Sequence, residues 1–252
     1  MRKATGIWKL FGVRLLSFET SEEGDGEVRG TGLLSPISSR LNLAIVMYLQ
    51  SKFYARYNIA TWRGKRVANP FAPPVGSYAQ FRALKALAKS HLLGRSYPLA
   101  VTFAVTYRCQ LECPHCSAAR HFRKDVPELS TKEAKNVIDQ SLDAGVAVVT
   151  FTGGEPLLRN DIFDLISYVD ARKAVAVLFT NGLLLSEEVL GRLSAAGLYS
   201  LFVSLDSVAP EEHDRLRGHP GAFQADLEGI ERALSKGMMV SVSSYTSRSN
   251  RM

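Results

Sequence analysis

The sequence predicts an α/β protein: a parallel sheet with its helices over residues 99–252, preceded by a basic, mainly helical extension over residues 1–98. Three observations carry this reading. From residue 99 onward, β-rich apolar runs alternate with helical stretches through short connections, the pattern of parallel strands joined by right-handed crossovers. Charge divides the chain at the same place: residues 1–98 carry 15 Lys/Arg against 5 Asp/Glu, and residues 99–252 carry 16 against 19. Finally, every chemically unusual motif falls where a strand would end, the rim at which parallel α/β folds build their sites.

In the extension, Ile7, Trp8, Leu10, Phe11, Val13, Leu15, Leu16 and Phe18 are apolar without a clean period, so strand and helix both fit. Residues 19–32 are acidic and glycine-rich and read as a mobile loop. Leu41 to Tyr57 reads as a helix, Trp62-Arg63-Gly64-Lys65-Arg66 as a basic aromatic turn, and Tyr78 to Leu93 as a second helix. Residues 28–98 hold 11 basic side chains and no acidic one, so this face suits an acidic substrate, a membrane surface or nucleic acid. A plain solvated cap fits it equally, and no nucleic-acid-binding motif is visible.

Beyond residue 99 the expected strands are Leu99–Thr106, Ala147–Thr152, Ala174–Thr180, Tyr199–Leu205 and Met239–Tyr245. Between them, Ser130 and Glu133 form a capping box for a helix to about Ala144. Further helices are expected at Asp161–Ala171, Ser186–Ala196 and Ala222–Lys236. A closed or partial (β/α) barrel and an open doubly wound sheet both satisfy this order, but no G-x-G-x-x-G follows the first strand.

Composition is that of a globular protein, 46% hydrophobic and 22% charged with a net charge of +7. The chain has no apolar run of the length a membrane span needs, and Met1-Arg2-Lys3 is basic but is not followed by a clean apolar segment and cleavage site, so secretion is not expected. Clustered free thiols agree with a reducing compartment, so a cytoplasmic protein is expected, with membrane association through the basic region as a further option.

All three cysteines lie in one stretch, Cys109-x3-Cys113-x2-Cys116. Such spacing serves metal or redox chemistry rather than a disulfide framework. Iron–sulfur clusters and zinc both draw on thiolates and usually take four protein ligands. Three thiolates on a cubic cluster leave one iron for something that is not protein. The competing reading is a zinc site with His115 or His121 as fourth ligand.

The other strand ends supply complementary groups. Gly153-Gly154 lets backbone approach a ligand closely, leaving carbonyls and Glu155 to accept from an ammonium group. Thr180-Asn181-Gly182 is a turn at the next strand end, and Ser204 and Asp206 offer acceptors for ribose hydroxyls. Arg215 or Arg217 suits a carboxylate. His213 and His219 lie in a polar stretch and read as solvated.

Taken with Gly153-Gly154-Glu155-Pro156, the cysteine stretch resembles the radical S-adenosylmethionine (radical SAM) superfamily, over about residues 99–246. The resemblance implies a partial parallel (β/α) barrel. It implies a four-iron, four-sulfur (4Fe-4S) cluster on Cys109, Cys113 and Cys116, with S-adenosylmethionine on the open iron. His115 would lie near the adenine, Gly153, Gly154 and Glu155 at the methionine amino group, Ser204 and Asp206 at the ribose, with Asn181 and Arg215 completing the cofactor site. It further implies reductive cleavage of S-adenosylmethionine and abstraction of a substrate hydrogen atom, in peptide modification or cofactor biosynthesis, with a reductant such as flavodoxin or ferredoxin. Such barrels usually have six strands. Only five are legible here, the fifth lacks a glycine-bearing adenine motif, and no second cysteine cluster follows, so a core incomplete at its C-terminus is expected. The alternatives are a zinc- or iron–sulfur-binding module without catalysis and a membrane-surface binding protein.

Overall fold

The computed structural model describes residues 4–10, 13–20, 29–31, 59–121 and 127–246. The expected helix over 41–57 and the polar tail after 246 lie outside these residues. Strands β1 (Ala4–Leu10), β2 (Val13–Thr20) and β3 (Arg29–Thr31) form an antiparallel sheet in that order. Leu10 pairs with Val13, so two residues separate β1 from β2, too few for anything but a hairpin. The described part of the extension contains five strands and one helix, and the apolar run over residues 1–18, which fits strand and helix alike, forms strands where it is described.

Strands β4 (Ala60–Trp62) and β5 (Lys65–Val67) form a hairpin around Arg63 and Gly64, with φ of 47° and 73°, the sign a tight two-residue turn demands. Helix α1 (Tyr78–Leu93) follows, started by the Ser77 side chain and stopped by Gly94 in the left-handed region.

The sheet that carries the site contains β6 (Ala100–Thr106), β7 (Val148–Gly153), β8 (Val175–Thr180), β9 (Ser200–Ser204) and β10 (Val240–Ser243), all parallel. Each strand lies beside the one before it in the chain, in the order β10-β9-β8-β7-β6. Right-handed crossovers between successive neighbours put every helix on one side, the winding of a barrel wall; a doubly wound sheet would reverse its order. The crossover helices are α2 (Thr131–Ala144), α3 (Ile162–Tyr168), α4 (Glu187–Ala195), α5 (Pro210–Arg217) and α6 (Ala222–Ser235). The Ser130–Glu133 capping box is present as expected.

Period-two alternation divides the strand residues between two cores. Val149, Phe151, Ala176, Leu178, Leu201 and Val203 pack against Ile138, Leu165, Leu190 and Ala233 of the helices. Val148, Val175, Val177 and Phe202 point the other way, and the β4–β5 hairpin covers them with Ala60, Trp62 and Val67. Trp62 meets Tyr199 edge-on at 5.2 Å, and the Tyr199 hydroxyl donates to the Ala72 carbonyl at 2.8 Å. Phe71 lies 4.2 Å from Phe202 and 5.9 Å from Phe179 between ring centroids. The charge boundary near residue 98 is thus no boundary of the core: residues 59–75 close the foot of the sheet's inner face.

Candidate functional site

Above that foot, the last inward residue of four strands, Thr152, Phe179, Ser204 and Ser243, lines a cleft of about 510 Å³. The loop after β6 brings Cys109, Cys113 and Cys116 to the same cleft, with Gly153, Gly154, Asn181, Asp206 and Arg217. Residues as far apart in the chain as Cys109 and Ser243 therefore share one mouth at the carboxyl ends of the strands, as the positions of the motifs in the sequence imply.

The cysteine loop is tied down at its root. Gly154 N donates to Thr106 O at 2.7 Å and Glu155 N to Arg108 O at 2.8 Å. A Cβ on Gly153 would strike the Thr106 carbonyl, and one on Gly154 the Arg108 carbonyl. Both glycines are required by the approach of the two loops to each other, beside any approach to a ligand. Arg108 also pairs with Glu128 at 3.1 Å. Within the loop, Leu111 N points at Cys109 Sγ (3.4 Å) and Ala119 N at Cys116 Sγ (3.4 Å). The Asn181 amide donates to Cys109 Sγ at 3.7 Å, and an Arg217 guanidinium nitrogen lies 3.9 Å from Cys113 Sγ. Burial pushes the Cys109 and Cys113 thiols up; these donors act against it.

Among the described residues, no three His, Cys, Asp or Glu side chains gather as ligands of a single ion would. A lone zinc draws thiolates to about 2.3 Å, whereas one exposed and two half-buried thiols around a cleft, each with hydrogen-bond donors nearby, suit a larger iron–sulfur cluster. His115 does not join them as a fourth ligand: its Nε2 faces Asp206 Oδ2 at 3.2 Å, and its ring stacks on Tyr245 at 4.3 Å. Burial holds the His115 imidazole below its ordinary range, and its buried Nδ1 meets no hydrogen-bond partner among the described residues.

Three expectations change. Glu155 does not face the cleft: it is fully buried beneath it, accepting from Leu157 N (3.0 Å), the Thr180 hydroxyl (2.9 Å) and Asn181 N (2.8 Å). Its carboxylate holds the loops after β7 and β8 together, and burial pushes its carboxyl up to about 7. Arg215 points to solvent and pairs with Glu212 at 2.6 Å; two residues on, helical geometry turns Arg217 inward, 8% exposed and 2.9 Å from Asp206. His213 is not solvated but fully buried, its Nδ1 accepting from Asp206 N (3.1 Å) and its Nε2 facing Asp226 Oδ2 (3.1 Å).

These last residues belong to α5, a helix where the sequence suggests a polar loop. Its signals were legible: Pro210 in the first turn with Glu211 and Glu212, Arg215 and Arg217 in the last, and Gly218 in the left-handed region. Asp226, on α6, carried no signal of its own. Asp206 lies in the cleft wall, where expected, but its oxygens are engaged by His115, Arg217 and Tyr245 N (2.7 Å). Ser204 is the remaining strand-end candidate for a ribose hydroxyl. His121's side chain lies outside the described residues.

Comparison with known proteins agrees with this geometry. An AdoMet-dependent heme synthase of Methanosarcina barkeri is 41% identical over 134 residues, covering 53% of this chain and 38% of the relative. A mycofactocin maturase of Mycobacterium tuberculosis is 32% identical over 158 residues, covering 62% of this chain and 40% of the relative. The chain thus spans about 40% of the length of such relatives. The structure of Streptococcus suis SuiB bound to its precursor peptide SuiA shares the fold, with a TM-score of 0.54 at 18% identity over 92% of this chain and 54% of that one. The family model of the radical SAM superfamily matches residues 103–246, more than half of the sequence, and the chain belongs to that superfamily.

Proposed function

We propose that this chain carries the core of an enzyme in which Cys109, Cys113 and Cys116 hold a 4Fe-4S cluster and the cleft beside them holds S-adenosylmethionine. The observation that carries the reading is the convergence of three thiols, the Gly153-Gly154 backbone, Ser204 and the buried Arg217 on one cleft of about 510 Å³. When bound, the cluster supplies one electron that divides S-adenosylmethionine into methionine and a 5′-deoxyadenosyl radical, which takes a hydrogen atom from substrate. The protein's own work is positional. Gly153 and Gly154 offer carbonyls to an ammonium group, Ser204 accepts from a sugar hydroxyl, and Arg217 brings positive charge to the cleft wall. The hairpin and Phe71 cover the inner face of the sheet below the cleft and so close its floor.

A peptide substrate is supported by the mycofactocin maturase and SuiB relationships. A carboxylated tetrapyrrole is a second reading, favoured by the Phe71–Phe179–Phe202 cluster beside the cleft and the 11 basic residues of 28–98, and in keeping with the heme synthase relative. The electron donor in this reading is a flavodoxin- or ferredoxin-type protein. No described helix is long and apolar enough to cross a membrane. The test is anaerobic reconstitution with iron and sulfide, followed by S-adenosylmethionine and dithionite. Formation of 5′-deoxyadenosine, lost in Cys113→Ala, is expected; stoichiometric zinc with no 5′-deoxyadenosine would refute the reading.

A further inference from the structure

We infer that Arg217 is a positioning residue that balances charge at Cys113 and thereby sets the reduction potential of an iron–sulfur cluster held there. The inference rests on the cluster reading above. It begins from a buried cation: Arg217 is 8% exposed, its Nη2 pairs with Asp206 Oδ2 at 2.9 Å, and its buried Nε meets no hydrogen-bond partner among the described residues. A guanidinium taken out of water is costly unless its donors are met. Its Nη1 lies 3.9 Å from Cys113 Sγ, and its own carbonyl oxygen lies 3.6 Å from the same sulfur.

The other two thiols are served differently. Cys109 is faced by the neutral N–H groups of Leu111 and Asn181, and Cys116 by that of Ala119. Cys113 is the sulfur brought against a cation.

Arg217 is also held in place from behind. Asp206 accepts from Tyr245 N through Oδ1 and donates its backbone N–H to His213 Nδ1. With Nδ1 an acceptor, neutral His213 carries its proton on Nε2, which faces Asp226 Oδ2 at 3.1 Å; both side chains are fully buried. This chain from Asp226 to Arg217 links α6, α5 and the end of β9, so the cation has little freedom to swing away. A fixed positive charge in a poorly polarisable setting favours the more negative, reduced state of a cluster. The step concerned is the one-electron reduction of [4Fe-4S]²⁺ to [4Fe-4S]⁺ by an external low-potential donor; no bond forms or breaks and no proton moves.

The test is a redox titration of the anaerobically reconstituted chain without S-adenosylmethionine, followed by electron paramagnetic resonance. Arg217→Gln and Arg217→Met should move the midpoint to more negative potential at unchanged iron content, while Arg217→Lys stays near the parent protein. Loss of iron in both neutral variants would overturn the inference, because Arg217 would then be needed to hold the cluster rather than to set its potential. Equal midpoints in all variants would overturn the inference, as would iron loss in the lysine variant too, which assigns a purely structural role. An unchanged midpoint with loss of the spectral response to S-adenosylmethionine would assign Arg217 to that ligand's carboxylate instead. Failure of the parent chain to take up iron and sulfide would sink the cluster reading itself, a separate outcome.

Discussion

The Glu155 carboxylate accepts the backbone N–H of Asn181 at 2.8 Å, and the Asn181 side chain in turn donates to Cys109 Sγ at 3.7 Å. A fully buried acid thus aims a neutral donor at the first cysteine without itself entering the cleft. Glu155→Gln would turn one of its acceptors into a donor facing donors, at a cost on the order of 1–3 kcal/mol. Denaturant unfolding should show that loss, with lower iron retention after reconstitution. Unchanged stability would separate Glu155 from the loop it is argued to hold.

The same residue makes stability depend on pH. Its carboxyl is pushed from 4.5 up to about 7, burial being the largest cause, so the folded chain keeps a proton that the unfolded chain gives up. Stability contributed by that proton is complete below about pH 4.5 and falls as pH rises through about 7, by roughly 3 kcal/mol. Asp226, also raised by burial, adds a slope of the same sign. Unfolding measured from pH 5 to 8 should show a decline that is shallower in Glu155→Gln. An equal slope in both proteins would contradict the assignment.

Gly153 and Gly154 should not tolerate alanine. Their added Cβ atoms would meet backbone carbonyls, which cannot swing aside as side chains do. We expect each substitution to cost at least about 2 kcal/mol, read by thermal or denaturant unfolding. Gly191, around which a Cβ would meet nothing, is the control; its alanine variant should match or exceed the parent protein in stability.

Much of this was legible in the chain. Period and turn signals placed the five parallel strands, because alternate faces of each strand are buried against different partners and leave a strong apolar pattern. The cysteine spacing and Gly153-Gly154 marked the rim. What the sequence hid was direction. Arg215 and Arg217 are the same residue type two positions apart, and only the seating of α5 decides which one turns inward. Glu155 sits between two glycines and a proline in a turn, and His213 among charged residues, so neither is marked as buried along the chain; their burial comes from loops and helices that meet only in three dimensions. The hairpin on the sheet's inner face depends on contacts between Trp62 and Tyr199, 137 positions apart, which no local pattern announces.

The stretch that follows that hairpin is tied by the Tyr199 hydroxyl, which donates to Ala72 O at 2.8 Å. Tyr199→Phe should lower stability by about 1 kcal/mol and speed amide exchange across residues 59–75. Exchange unchanged in that segment would show that the hydroxyl does not secure it.

Arg215→Ala should leave stability within about 0.5 kcal/mol of the parent, as an exposed ion pair contributes little. It should also leave the response to S-adenosylmethionine intact. A lost response would restore Arg215 to the cofactor site.

The central claim is that three thiols hold a cluster with one iron left for S-adenosylmethionine. The most direct measurement is the electron paramagnetic resonance spectrum of the reduced, anaerobically reconstituted chain, with and without S-adenosylmethionine, alongside metal and sulfide analysis. The account expects about four irons and four sulfides per chain and a spectrum that changes on adding S-adenosylmethionine. Bound zinc in place of iron, or a cluster whose spectrum ignores S-adenosylmethionine, would contradict it.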